Sequence, residues 1–258
     1  EKLLQMAEKA HQAGVELFVL DDGWFGKRNN DTCSLGDWKV NYDKLPSGID
    51  GLAEKINKIG MKFGLWFEPE MISPDSDLYR EHPDWAIHID EREGVQSRNQ
   101  MVLDLSRDEV CEYVINAVSD ILANANIEYV KWDMNRQLTD MPRLGYNHEY
   151  TLGYYKIMSA ITEKFPNILF EGCSAGGGRF DAGVLAYMPQ IWTSDNSDAI
   201  ARLKMQYSTS MCYPVYSISS HVTASPNHQC GRVTSLKTRA DVAYCGTFGY
   251  ELDVTKMS

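Results

Sequence analysis

Acidic residues recur in this sequence at the ends of short apolar runs. Asp21 and Asp22 follow residues 15–20, Glu68 follows 61–67, Asp133 follows 127–132, and Asp195 follows 190–194. Cys173 stands in the same place after 168–171, and Trp24, Trp66, Trp132 and Trp192 accompany the series. Each acid alone has a plain explanation, because an acid after a strand often caps the next helix. Capping does not explain the repeated aromatic company. Carboxylates that take hydroxyl hydrogens, beside aromatic faces that stack on a pyranose, are the composition of a sugar site. Cleaving a glycosidic bond needs two carboxyl groups, one ionised at the anomeric carbon and one holding a proton for the leaving oxygen. Asp133 suits the first role. Lys131 lies two residues earlier on the same strand face, and a neighbouring ammonium favours an ionised carboxylate. Asn135 follows two residues later. Asp195 or Asp198 suits the second role, and spacing alone leaves that choice open.

The elements that must position these groups alternate. Residues 3–14, 51–60, 110–124, 150–164 and 199–211 carry helical patterning, and apolar runs lie between or after them. Runs at 15–20, 61–67, 127–132, 168–171, 190–194, 214–220 and 246–252 are read as seven strands. Helix alternating with short buried strand implies a parallel sheet in an α/β fold. With no GxGxxG turn, a (β/α) barrel is preferred over a doubly wound sheet, and strand ends on one barrel face would converge on one site. The expected architecture is a single (β/α)8 TIM-type barrel domain over 1–258. It opens on a helix, so its first strand is expected to be missing and the chain to be truncated at its N-terminus.

Composition narrows the function class. Lys and Arg number 25 against 36 Asp and Glu, a net charge of −11. Such a surface repels nucleic acid and anionic membranes. No run reaches the roughly 18 apolar residues of a membrane span. Six cysteines occur without a CxxC pair, and six histidines without an HExxH or i,i+4 pairing. The expectations are therefore no metal, no cofactor, and buried reduced thiols in a reducing compartment. Gly172-Cys173-Ser174-Ala175-Gly176 matches the GxSxG elbow of serine hydrolases, with Asp195 and His221 or His228 available downstream. Its glycine run is a poor helix start, so this reading stands second. Close backbone approach to a ligand is the more economical role for those glycines. Arg98, in Ser97-Arg98-Asn99-Gln100, reads by itself as a solvated loop residue.

Taken together the motifs resemble the catalytic domain of glycoside hydrolase family 36, the bacterial type of α-galactosidase. The resemblance spans the chain and rests on Leu20-Asp21-Asp22-Gly23-Trp24-Phe25-Gly26, Gly64-Leu65-Trp66-Phe67-Glu68-Pro69-Glu70, Arg98-Asn99-Gln100, Lys131-Trp132-Asp133-Met134-Asn135, Gly172-Cys173-Ser174 and Trp192-Thr193-Ser194-Asp195-Asn196. It implies a retaining double displacement, with Asp133 matching the nucleophile and Asp195 the acid/base. Asp21 and Asp22 match the pair that holds the galactose 4- and 6-hydroxyls. Trp66, Arg98, Lys131, Asn135, Cys173 and Gly176 match positions lining the same pocket. Cys173, by the 2-hydroxyl, implies galactose rather than N-acetylgalactosamine. The implied substrate is a small oligosaccharide of the melibiose or raffinose type with a terminal α-galactosyl group. The family's flanking β domains are expected to be absent from this chain, and the full-length parent to be a cytoplasmic homotetramer. A non-catalytic galactose-binding module remains as a further alternative.

Overall fold

A computed structural model describes residues 1–256. Seven strands form one sheet in sequence order, and every neighbouring pair is parallel. They are β1 (Leu17–Leu20), β2 (Lys62–Phe67), β5 (Tyr129–Trp132), β6 (Leu169–Gly172), β7 (Gln190–Trp192), β8 (Ile218–Thr223) and β9 (Thr247–Glu251). A short antiparallel pair, β3 (Met71–Ile72) and β4 (Met101–Val102), stands apart between β2 and β5. The helices are α1 (Lys2–Gln12), α2 (Gly48–Ile59), α3 (Asp77–Glu81), α4 (Asp108–Ala123), α5 (Tyr146–Lys164), α6 (Ala182–Leu185), α7 (Ala199–Ser210) and α8 (Leu236–Ala243). Among the described residues, β1 and β9 each pair on one side only.

Register explains how one sheet carries both a core and a site. Lateral partners in a parallel sheet point to the same face, and each strand alternates faces. Pairing runs Val19↔Gly64↔Tyr129, then Trp66↔Lys131↔Glu171↔Gln190, then Trp192↔Ser219. One face therefore collects Asp21, Lys131, Asp133, Glu171, Cys173 and Gln190. The other collects Phe63, Leu65, Phe67, Val130, Trp132, Phe170 and Ile218, all buried. That apolar face packs with Ile56 of α2, Val114 and Val118 of α4, and Ile157 and Ile161 of α5. Parallel strands covered on both sides ordinarily read as apolar on both faces. Here the sheet's second face is given over to polar groups.

Two buried carboxylates tie this arrangement together. Glu171, on the polar face, accepts from Tyr129 Oη, from Gln190 Nε2 at 2.5 Å and from Ser219 Oγ at 2.9 Å. Glu70, with no exposed surface, accepts from Trp132 Nε1 at 2.8 Å, Tyr150 Oη at 2.7 Å and both Arg179 terminal nitrogens at 2.6 and 3.0 Å. The Arg179 guanidinium also lies 4.4 Å from the centre of the Tyr154 ring. Buried polar groups persist when every donor and acceptor is matched; Glu171 joins β5, β7 and β8, and Glu70 with Arg179 holds the loop after β6 to α5.

Several expectations need correction. Residues 215–217 form a 3-10 turn, and the strand expected over 214–220 runs instead over Ile218–Thr223. Helix α5 begins a turn before residue 150, and α8 carries no helical signal that the sequence made plain. Cys33, Cys111 and Cys173 are buried thiols as expected, whereas Cys212, Cys230 and Cys245 are exposed. No helix among the described residues is long and apolar enough to cross a membrane.

Candidate active site

The strand ends of the polar face converge. At the floor lie Asp133, Cys173 and Gly176, all buried, with Lys131 and Asn135 half-buried beside them, and Asp21, Asp22, Arg98 and Asp195 reach solvent at the rim. Asp133 sits one residue past β5 and is met by three N–H donors. Trp66 Nε1 reaches Oδ2 at 3.1 Å, Asn135 Nδ2 reaches Oδ2 at 2.7 Å, and the Met134 amide reaches Oδ1 at 2.8 Å. Donors arriving from three sides fix the carboxylate's orientation and leave it no freedom to turn away.

The charge of Asp133 is felt by the groups around it. Burial, together with that charge, pushes the Cys173 thiol well up and Glu68 up to about 8. Burial works against the Lys131 ammonium, yet Asp21, Cys173, Glu171 and Asp133 together hold it above its ordinary range. Partial burial and the Asp133 carboxylate raise Asp195, while Trp192, Lys131 and Arg98 oppose the shift. Asp195 therefore lies within electrostatic reach of Asp133.

Asp195 and Asp198 stand in different surroundings. Asp198 is 2% exposed, caps α7 through Oδ2 to the Ala201 amide at 3.0 Å, and takes Arg232 Nε on the same oxygen at 3.1 Å. Asp195 is left facing the site. It accepts from Trp192 Nε1 at 3.1 Å. Its loop is pinned by Arg202, which reaches the Ser194, Asn196 and Ser219 carbonyls and lies 4.2 Å from the centre of the Trp192 ring. Gln229 Nε2 adds a bond to the Asp195 carbonyl at 2.6 Å.

At the rim, Lys131 Nζ meets Asp21 Oδ2 at 3.2 Å. Asp22 is gripped by Arg28, whose Nε and Nη2 reach its carboxylate at 3.0 and 2.9 Å. Arg28 is itself buried and also reaches the Cys33 carbonyl. Neither acid is free to swing, so both present remaining lone pairs in fixed directions.

The tryptophans do not act as expected. Trp24, Trp66, Trp132 and Trp192 are each 4% exposed or less, so none has an open face for stacking on a sugar. Each spends its indole N–H instead: Trp24 on the Trp66 carbonyl, Trp66 on Asp133, Trp132 on Glu70 and Trp192 on Asp195. The expected stacking on a sugar face is therefore replaced by hydrogen bonding through the indole N–H groups. The serine-hydrolase alternative also loses its geometry. The left-handed residues of that segment are Ala175 and Gly176 rather than Ser174, and the next helix begins only at Ala182. No histidine hydrogen-bonds Ser174 among the described residues.

Gly176 has a specific structural task. At φ +89° its missing Cβ would stand 2.8 Å from Ser194 Cα and 3.0 Å from the Asp195 amide nitrogen. At Gly177 a Cβ would meet the Thr193 carbonyl oxygen at 2.6 Å. The two glycines let the loop after β6 lie directly against the backbone that carries Asp195. Gly176→Ala is expected to cost about 1–3 kcal/mol of stability. By displacing the Asp195 loop, it should also lower kcat/KM about 100-fold. Thermal melts and initial rates check the two effects separately.

Sequence reasoning passed over Arg28, Gln100, Arg202 and Gln229, and placed Glu68 at a strand end without a role. Their partners lie up to 67 positions away or belong to backbone carbonyls, which no local pattern encodes. Asp198 did carry a signal, since an Asp directly before a helical run is a cap.

Comparison with known proteins decides the family. The melibiase family model matches residues 1–258. The chain belongs to the melibiase family. It is similar to alpha-galactosidase AgaA of Geobacillus stearothermophilus, 56% identical over 100% of this chain and 36% of that protein. The AgaA crystal structure superposes with a TM-score of 0.97, covering 100% of this chain and 37% of that one. A variant of AgaA solved in complex with raffinose is 55% identical with a TM-score of 0.97, over the same shares. Among fungal melibiase relatives, alpha-galactosidase C of Emericella nidulans is 47% identical over 96% of this chain and 35% of its own length. The likeness thus does not separate bacterial from fungal members. The chain spans about a third of the length of these relatives.

Proposed function

We propose that this chain forms the catalytic part of a retaining α-galactosidase that hydrolyses terminal α-galactosyl groups of melibiose- or raffinose-type oligosaccharides. The observation that carries the reading is the pairing of Asp133, fixed by three N–H donors, with Asp195, whose carboxyl partial burial and the Asp133 charge push up from its ordinary value. In the first step an Asp133 oxygen attacks the anomeric carbon and the bond to the leaving oxygen breaks, while Asp195 gives that oxygen its proton. In the second step a water gives a proton to Asp195 and attacks the same carbon, and the Asp133 ester bond breaks. Asp21 and Asp22 take the 4- and 6-hydroxyls at the rim, Lys131 and Arg98 add donors, and Cys173 closes the space by the 2-hydroxyl against an N-acetyl group.

We further propose that the seven parallel strands belong to a (β/α)8 barrel that an eighth strand completes between β1 and β9. Strand order without crossovers and a site gathered at the C-terminal strand ends support this. Six unpaired thiols, three of them exposed, fit a cytoplasmic protein. Exposed apolar residues on α7 and beyond it, including Leu203, Tyr207, Met211 and Tyr216, fit a full-length protein that covers this side in a homo-oligomer.

The test is nitrophenol release by the full-length protein from aryl α-galactoside, aryl α-N-acetylgalactosaminide and aryl acetate. Turnover of the galactoside alone is the expected result. Turnover of the acetate would revive the serine hydrolase, and saturable galactose binding without any turnover would make the protein a binding module.

A further inference from the structure

Behind Asp133 lies a third acid, Glu68, directly after β2 and 2% exposed. One of its oxygens, Oε1, is the meeting point of two N–H donors from separate parts of the chain. The Asn135 backbone amide reaches it at 2.5 Å and Gln100 Nε2 at 3.0 Å. Each donor leads to a different piece of the candidate site. Asn135 passes on to Asp133, its Nδ2 lying 2.7 Å from Oδ2. Gln100 is the buried foot of a two-residue turn, with Ser97 and Gln100 exchanging backbone bonds at 3.2 Å. Arg98 and Asn99 form its tip at φ 53° and 59°, both in the left-handed region that a type I′ turn demands. Neither is glycine, so each pays about 1 kcal/mol or more for that conformation, which persists only where the surroundings enforce it. Residues 95–99 are exposed, whereas Gln100 is 2% exposed.

We propose that Glu68 is a positioning residue whose single carboxyl oxygen sets the Asn135 amide against Asp133 and the Arg98 turn over the sugar site at the same time. The proposal rests on the α-galactosidase reading above. Convergence of both donors on Oε1 matches a neutral carboxyl, whose carbonyl oxygen accepts while its hydroxyl occupies the other position. Burial and the Asp133 charge, which push the group up to about 8, favour the same form. A glutamine would reproduce that pattern, with its amide oxygen accepting both bonds.

The test uses the full-length protein, steady-state kinetics on nitrophenyl α-galactoside and a thermal melt for each variant. Glu68→Gln is expected to stay within about threefold of the parent, because both accepted bonds survive. Glu68→Ala is expected to lose about 100-fold in kcat/KM, through kcat and KM together. Gln100→Ala releases the Arg98 turn alone and should raise KM about tenfold while kcat falls less than about threefold. The Glu68→Ala, Gln100→Ala double variant should lose no more than Glu68→Ala, since both act through one oxygen. Additive losses, a Glu68→Gln as damaged as Glu68→Ala, or a Glu68→Ala with parental kinetics would each overturn the proposal. Should Glu68→Ala fail to fold, Gln100→Ala decides: an unchanged KM overturns it and a raised KM with near-parental kcat upholds it. An inactive parent would overturn instead the reading on which the proposal stands.

Discussion

Asp133→Asn is expected to lower kcat/KM on every α-galactoside by about 10⁴-fold or more, as loss of a covalent nucleophile does. The substituted amide keeps nearly the same volume, and its one oxygen can still accept from Trp66 and Asn135, which share Oδ2 in the native carboxylate, at the loss of the Met134 bond to Oδ1, about 1 kcal/mol. What it loses is the charge and the nucleophilic oxygen. Fold and stability should therefore change little while chemistry stops. The loss should also be independent of the leaving group, because no substrate bypasses the first displacement. Initial rates on aryl galactoside and raffinose, with a thermal melt alongside, check both halves of the expectation. A loss under about tenfold would remove Asp133 from the nucleophile's role.

Asp195→Asn should instead discriminate between substrates. A basic sugar oxygen needs a proton to leave, so raffinose is expected to lose about 10³-fold, within the usual reach of general acid catalysis. A nitrophenolate leaves without help, and loss on the aryl galactoside should be about tenfold, confined to the slower second step. The same residue predicts the alkaline limb of the pH profile. Asp195 donates only while protonated, and partial burial with the Asp133 charge holds it above the ordinary aspartate value. Parent kcat/KM on raffinose should accordingly fall as pH rises through that raised value, and Asp195→Asn should lack that fall. Equal losses on both substrates would take the acid role from Asp195.

Much of this was legible before any coordinates. Six of the seven long strands coincide with apolar runs read from the sequence, because strands covered by helices on one face need apolar residues at every position that points to it. The position of the carboxylates was legible because each stands at or just after the end of an apolar run. Their wiring was not. Trp66 was singled out for its ring, but its N–H to Asp133 spans 67 positions. Glu68 meets Gln100 across 32 and Asn135 across 67. Periodicity reports which face a residue takes, and says nothing of which distant donor arrives there. The two-residue strands β3 and β4 were equally hidden, since a single pair of residues has no period. They matter all the same, because the excursion they anchor delivers Arg98 to the rim.

The covalent step admits the most direct test. A 2-deoxy-2-fluoro α-galactosyl substrate with a reactive leaving group slows departure of the sugar from the enzyme more than its arrival, because the fluorine destabilises both oxocarbenium-like transition states while the leaving group rescues only the first. The full-length protein would be treated with this sugar, digested, and the labelled peptide sequenced by mass spectrometry. The account predicts an ester-linked fluorosugar on Asp133, absent from Asp133→Asn. A label on another residue, or an unlabelled protein that turns over α-galactosides and releases β-galactose first, would contradict it.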